Sequence, residues 1–176
     1  MNIFLIGMMG AGKTTVGRAL AKRLGLPFID TDRALVERTG APIATIFDLE
    51  GEGGFRRRES AMLAEVSQGE DAVVATGGGA VLAEENREVM RAHGTVVYLR
   101  ARLEFLWDRT KRDTNRPLLA TADPRATLAQ ILEHREPLYL ACAHLIVDTG
   151  TQSAATLAGR VATALKRHEE ATRKSA

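Results

Sequence analysis

Residues Gly7-Met8-Met9-Gly10-Ala11-Gly12-Lys13-Thr14 match the pattern G-x-x-x-x-G-K-[ST] in full. No other stretch of the chain restricts its fold as much. An apolar run at residues 3–6 precedes it, and residues 15–24 follow with Val16, Leu20 and Leu24 on one helical stripe. Strand, glycine loop and helix in that order make a phosphate cradle. The glycines let the backbone of Gly10, Ala11 and Gly12 curl round an anion, and the helix presents its positive end to it. The Lys13 ammonium reaches the terminal phosphates, and the hydroxyl of Thr14, next to Thr15, suits Mg²⁺. A nucleoside triphosphate is therefore the expected ligand of residues 7–15.

The rest of the chain reads as α/β. Short apolar, β-branched runs at residues 27–29, 72–75, 96–99 and 145–147 alternate with helical patterns at 56–68, 84–91, 103–110, 125–141 and 154–168. Strands that are apolar without alternation belong in a parallel sheet covered on both faces. The 176 residues suffice for one domain, expected over residues 1–170 with a frayed charged tail at 171–176. Two stretches break the alternation. Residues 32–60 hold helical patterns and a Gly-Glu-Gly-Gly cluster, and predict an inserted helical subdomain. Residues 111–123, KRDTNRPLLATAD, are polar and aperiodic, and predict a lid.

Composition narrows the function. A net charge of +2 is too weak to argue for nucleic acid. No apolar run approaches the roughly 18 residues that would span a bilayer. The N-terminus has no basic segment before its apolar run, so it predicts a buried strand rather than a signal peptide. The single cysteine, Cys142, cannot form an intrachain disulfide and fits a reducing compartment. A cytoplasmic location is expected. No Asn-Lys-x-Asp motif is present, which disfavours a guanine-nucleotide switch.

Several residues suggest an acceptor site. Phe28-Ile29-Asp30-Thr31-Asp32 closes the second strand with two carboxylates two positions apart, which point to one side of an extended chain. Strand C-termini line the ligand crevice of open α/β sheets. One carboxylate can hold hydrated Mg²⁺ while the other accepts the proton of a hydroxyl. Asp32 can alternatively cap a helix over residues 33–38. Gly77-Gly78-Gly79 allows close backbone approach. Within Phe55-Arg56-Arg57-Arg58-Glu59 one arginine can grip a carboxylate, although such runs are more often solvated helix faces. Arg116 in the expected lid can neutralise a transferring phosphoryl group. Arg135 lies late in a helical pattern that Pro137 is expected to break. Phe105, Leu106 and Trp107 read as core. His93, His134, His144 and His168 have no metal-site spacing.

Taken in order, GMMGAGKTT, FIDTD, IFDLEGEGGFRRRE, TGGGAV, RTKRDTNRPLL and REPLY resemble the shikimate kinases, a P-loop family similar to nucleoside-monophosphate kinases. The resemblance covers about residues 1–150. It implies a three-layer fold with a five-stranded parallel sheet, a helical substrate-binding insertion and a mobile lid. It implies transfer of the ATP γ-phosphate to the 3-hydroxyl of shikimate, with Mg²⁺, in chorismate and aromatic amino-acid biosynthesis, by a monomer. By the same resemblance Asp32 binds shikimate hydroxyls, Asp30 lies near Mg²⁺ through water, and Thr14 binds the metal directly. Arg56 and Arg135 clamp the carboxylate, Gly78 contacts substrate, and Arg116 touches both ATP and shikimate. Arg109 lies near adenine. Lys13, Asp32 and Arg116 form the implied catalytic set. One departure stands out. The family often has an Asn and an Arg beside adenine after the last strand, where this chain has Gln152. Two other readings are a kinase for another small polyol acid, such as gluconate, and a nucleotide-binding regulator without turnover. Residues 32–60 and the Arg135 segment favour shikimate over gluconate. The retention of Lys13, Asp32 and Arg116 disfavours the regulator.

Overall fold

The computed structural model describes residues 1–114 and 116–175. Asn115, within the expected lid, and Ala176, at the end of the expected tail, lie outside the described residues. Five strands form one parallel sheet: β1 (Asn2–Ile6), β2 (Phe28–Asp30), β3 (Val73–Ala75), β4 (Gly94–Ala101) and β5 (Leu145–Thr149), in the order β2-β3-β1-β4-β5. Among the described residues seven α-helices connect or follow them: α1 (Lys13–Leu24), α2 (Thr31–Thr39), α3 (Ile43–Ser67), α4 (Glu84–His93), α5 (Leu103–Thr110), α6 (Pro124–Cys142) and α7 (Ala154–Ser175). The expected α/β class with five parallel strands is what the chain adopts.

The apolar runs explain this sheet. Every residue of β1 is buried, so both of its faces are covered. Helices α1 and α7 pack together, while α4 packs against α3 and α6. Asn2 is the polar exception at the start of β1. Its side-chain amide donates to the Ser67 carbonyl at 3.1 Å, and its oxygen accepts from the Ala72 N–H at 3.0 Å. A buried amide is tolerated because both ends are satisfied. The chain leaves β1 for β2 and β3 on one side, and later adds β4 and β5 on the other. The switch in direction therefore lies at β1, whose C-terminal end opens into the phosphate loop.

Helices α2 and α3 carry a hydrophobic cluster of their own, Leu35, Ile46, Phe55 and Met62, with the Phe47 and Phe55 ring centres 4.8 Å apart and the rings tilted by 35°. Val66 touches both this cluster and the main core. Gly51 interrupts α3 with φ 71° and ψ 179°, so residues 43–50 and 52–67 are two helical pieces meeting at a kink. That conformation is one side chains rarely adopt.

Two local expectations need correction. Asp32 does not cap the second helix; Asp30 does. Its side chain accepts from the N–H groups of Asp32 at 3.1 Å and Arg33 at 3.2 Å. The strand ends at Asp30, so Asp32 sits in the first turn of α2 instead of on an extended chain. Pro137 does not break α6, which continues to Cys142. Leu128 before the proline and Tyr139 and Cys142 after it are buried, and packing on both sides holds the helix through one missing hydrogen bond. The expected tail is helical over its described length, where α7 runs to Ser175. No described helix is long and apolar enough to cross a membrane.

Candidate active site

At the C-terminal ends of the strands two cavities lie side by side. The larger, about 560 Å³, is lined by the loop residues Gly10, Gly12, Lys13, Thr14 and Thr15, with Asp30, Thr76 and Arg109. The smaller, about 130 Å³, is lined by the apolar residues Ile43, Phe47, Phe55, Pro117 and Leu118 and by the charged residues Arg56, Glu59 and Arg135. Met9, Asp32, Gly78 and Arg116 line both. The two volumes suit a nucleotide and a small acid respectively, and the four shared residues mark where the two would meet.

On the nucleotide side the loop is held by its own backbone. The Lys13 ammonium donates to the carbonyls of Gly7 at 2.7 Å and Met8 at 2.9 Å. The Ala11 methyl is buried in the core, and its N–H donates to the Met8 carbonyl at 3.1 Å. Gly10 and Gly12 have φ of 81° and 96°, and a Cβ on Gly10 would lie 2.9 Å from the Thr110 methyl. Burial pulls the Lys13 pKa down to about 8; Asp32 opposes that fall and Arg116 adds to it. The Thr14 hydroxyl donates to Oδ2 of Asp30 at 2.7 Å. One oxygen of Asp30 thus caps α2 while the other faces the loop. A hydroxyl and a carboxylate are hard oxygen donors, which fit Mg²⁺ completed by phosphate and water. Among the described residues no group of three His, Cys, Asp or Glu forms a metal cluster, and His144 instead accepts from the Val96 N–H at 2.9 Å.

Arg109 lies with its guanidinium 4.3 Å from the Phe105 ring centre and 3.5 Å from the Gly10 carbonyl. Gln152 is exposed between β5 and α7 and does not line the larger cavity.

The acceptor side is built from scattered side chains. Arg56 donates to Oε2 of Glu59 at 2.8 Å and reaches Glu52 at 3.3 Å. Arg58, by contrast, pairs with exposed Glu50 at 2.6 Å, away from the cavity. Arg135 is 4 % exposed, and Arg116 pairs through Nε with Asp113 at 2.8 Å. The glycine run makes room for these groups. A Cβ on Gly77 would press on Glu59 and Asp32, one on Gly79 would run into the Arg56 guanidinium, and one on Gly78 would lie 3.4 Å from Arg135 and from the loop backbone at Gly7 and Met9. Burial pushes the Asp32 pKa up to about 6, with Glu59 and then Asp30 adding to it and Lys13 opposing.

Glu59 also lines the smaller cavity, and the sequence alone does not single it out. It is 3 % exposed, its Oε2 holds Arg56, and burial raises its pKa. In a run of arginines it reads as one more surface charge. The available signal is its i,i+3 spacing from Arg56, which puts both on one helical face. Met9, Phe47 and Phe55 were also not singled out as cavity walls. The expected set of Lys13, Asp32, Arg56, Gly78, Arg116 and Arg135 is brought together around the two cavities.

The chain matches the model of a family described as shikimate kinase over residues 9–166. It is 55% identical to a shikimate kinase of Bordetella pertussis over 170 residues, 97% of this chain and 81% of that one. It is 56% identical to one of Burkholderia thailandensis over 153 residues, 87% of this chain and 83% of the relative. A structure of the Acinetobacter baumannii shikimate kinase in complex with shikimate superposes with a TM-score of 0.93 at 45% identity, covering 94% of this chain and 93% of that one. A gluconokinase of Sinorhizobium meliloti superposes at 0.62 with 20% identity over 99% of this chain and 97% of that one, a likeness of fold alone.

Proposed function

The chain belongs to the shikimate kinase family, and from that premise we propose how its own residues carry the γ-phosphate of ATP to the 3-hydroxyl of shikimate. The observation that carries the reading is the sharing of Met9, Asp32, Gly78 and Arg116 between the two cavities. A hydroxyl held at that junction lies next to the terminal phosphate of a nucleotide in the loop.

In this reading Gly10, Ala11, Gly12, Lys13, Thr14 and Thr15 hold the phosphates, while Arg109, which lines the larger cavity as Gln152 does not, faces the adenine. Thr14 and Asp30, whose oxygens lie 2.7 Å apart, are the residues that would hold Mg²⁺. Bound there, the ion would supply neutralisation of phosphate charge. Arg56, kept in place by Glu59, and Arg135 fix the shikimate carboxylate. Asp32 and Gly78 fix the hydroxyl end. The oxygen–phosphorus bond forms as the bond to the ADP oxygen breaks, and Asp32 takes the hydroxyl proton. With its pKa at about 6, the carboxylate is ionised at neutral pH yet basic enough to accept. Arg116 neutralises charge on the moving phosphoryl group. Residues 111–123 act as a lid that excludes water, which would otherwise hydrolyse ATP, and α2 with α3 forms the substrate-binding insertion. A cytoplasmic location fits the use of ATP.

A coupled ADP-release assay with shikimate, with gluconate and without acceptor tests this. Shikimate should raise the rate at least tenfold over both other conditions. Equal rates in all three would refute the assignment, and a larger response to gluconate would move the chain to the other acceptor.

A further inference from the structure

Tyr139 is fully buried on α6, one turn after Arg135, and its hydroxyl donates to the Gly78 carbonyl at 2.6 Å. The same hydroxyl lies 3.6 Å from the sulfur of Met8 in the phosphate loop. The Arg135 guanidinium lies beside it as well. One phenol oxygen therefore touches three parts of the site: the carboxylate clamp, the glycine at the junction, and the loop. The hydrogen bond is short for a neutral donor, and a neighbouring cation that polarises the phenol strengthens it. Burial pushes the Tyr139 pKa up to about 12, so the hydroxyl keeps its proton and remains a donor at neutral pH.

A second tyrosine gives the contrast. Tyr98 on β4 stacks on Tyr139 with ring centres 4.9 Å apart. It is equally buried, yet its hydroxyl has no hydrogen-bond partner among the described residues. Ring packing alone thus accounts for Tyr98. It does not account for the aim of the Tyr139 hydroxyl at a peptide group shared by both cavities.

We propose that Tyr139 is a positioning residue for the phosphoryl transfer: its hydroxyl fixes the Gly78 peptide, and so ties the Arg135 end of the acceptor to the place where its hydroxyl meets ATP. Gly78 has no side chain to hold its peptide, and α6 supplies the anchor from outside. The inference rests on the acceptor reading given above. A loose Gly78 leaves ATP bound and the carboxylate clamped, but lets the reacting hydroxyl drift. Misplacement of that kind lowers the rate more than the affinity.

The test compares Tyr139→Phe with Tyr98→Phe, each of which removes one oxygen and keeps the ring. The readings are kcat, KM for shikimate and for ATP, acceptor-free ATP hydrolysis, and thermal melting. Tyr139→Phe should lower kcat with shikimate about tenfold. Its KM for ATP and its acceptor-free hydrolysis should stay within twofold of the parent, and Tyr98→Phe should match the parent throughout. A Tyr139→Phe variant with parental kcat overturns the proposal. So does one whose acceptor-free hydrolysis and melting temperature fall together with kcat, since that marks a structural role only. A parent without shikimate-dependent turnover refutes the acceptor reading itself, and this inference with it.

Discussion

The two halves of the site are built in opposite ways. In the proposed reading the nucleotide half is almost one continuous segment, residues 7–15, and works through backbone amides, one ammonium and one hydroxyl. The acceptor half is assembled from α2, α3, the glycine run after β3, the segment before α6, and α6 itself, and it works through charged side chains. The first half needs a backbone shape, which glycines at positive φ supply within eight residues. The second needs charges brought together from positions more than a hundred residues apart. A phosphate chain is common to many reactions, so its cradle can be local and general. A small acid with several hydroxyls must be oriented from several directions, and that requires tertiary structure.

This contrast makes different substitutions fail in different ways. Arg116 lies at the junction, so Arg116→Ala should lower kcat about 10²- to 10³-fold, the range for losing a group that stabilises transferring charge. A loss confined to the KM for ATP would place Arg116 in the nucleotide half alone. Arg56 belongs to the acceptor half. Arg56→Ala should raise the KM for shikimate about 10- to 100-fold, as expected for losing a charged hydrogen bond, with the KM for ATP unchanged. It also leaves the buried Glu59 without its arginine, so thermal melting should show a loss of stability. A rise in the KM for ATP alone would break the division between the halves.

The pH dependence gives the smallest effect and the finest distinction. Asp32 must be ionised to accept a proton, so kcat/KM should fall as pH drops below about 6. Lys13 must be charged to hold phosphate, so activity should fall again above about 8. Glu59 raises the Asp32 pKa through its charge, so Glu59→Gln should move the acid limb to lower pH and leave the basic limb in place. A basic limb that moves instead would couple Glu59 to the nucleotide half.

The same difference decides how much the sequence discloses. Residues 7–14 are legible because strand, loop and helix are adjacent and every requirement is local. Asp30 and Asp32 are legible as a pair but not in their division of labour. Which one caps α2 depends on the strand ending at Asp30, a boundary set by pairing with β3. Glu59 is illegible because its burial comes from Gly77 and Arg56 closing over it in three dimensions. Pro137 misleads for a related reason. Propensity argues for a break, and the packing of Leu128, Tyr139 and Cys142 overrides it. Arg56, Arg116 and Arg135 have the right chemistry in the sequence, but only the fold separates them from Arg58 on the surface.

The central claim is that ATP in the loop and a hydroxyl at Asp32 meet at one junction. Asp32→Asn tests it most directly, because the amide keeps the shape and loses the base. Shikimate-dependent kcat should fall about 10²- to 10⁴-fold, with the KM for ATP and acceptor-free ATP hydrolysis unchanged and the acid limb of the pH profile gone. A variant that turns over shikimate at near-parental rate, with its acid limb intact, would contradict the account.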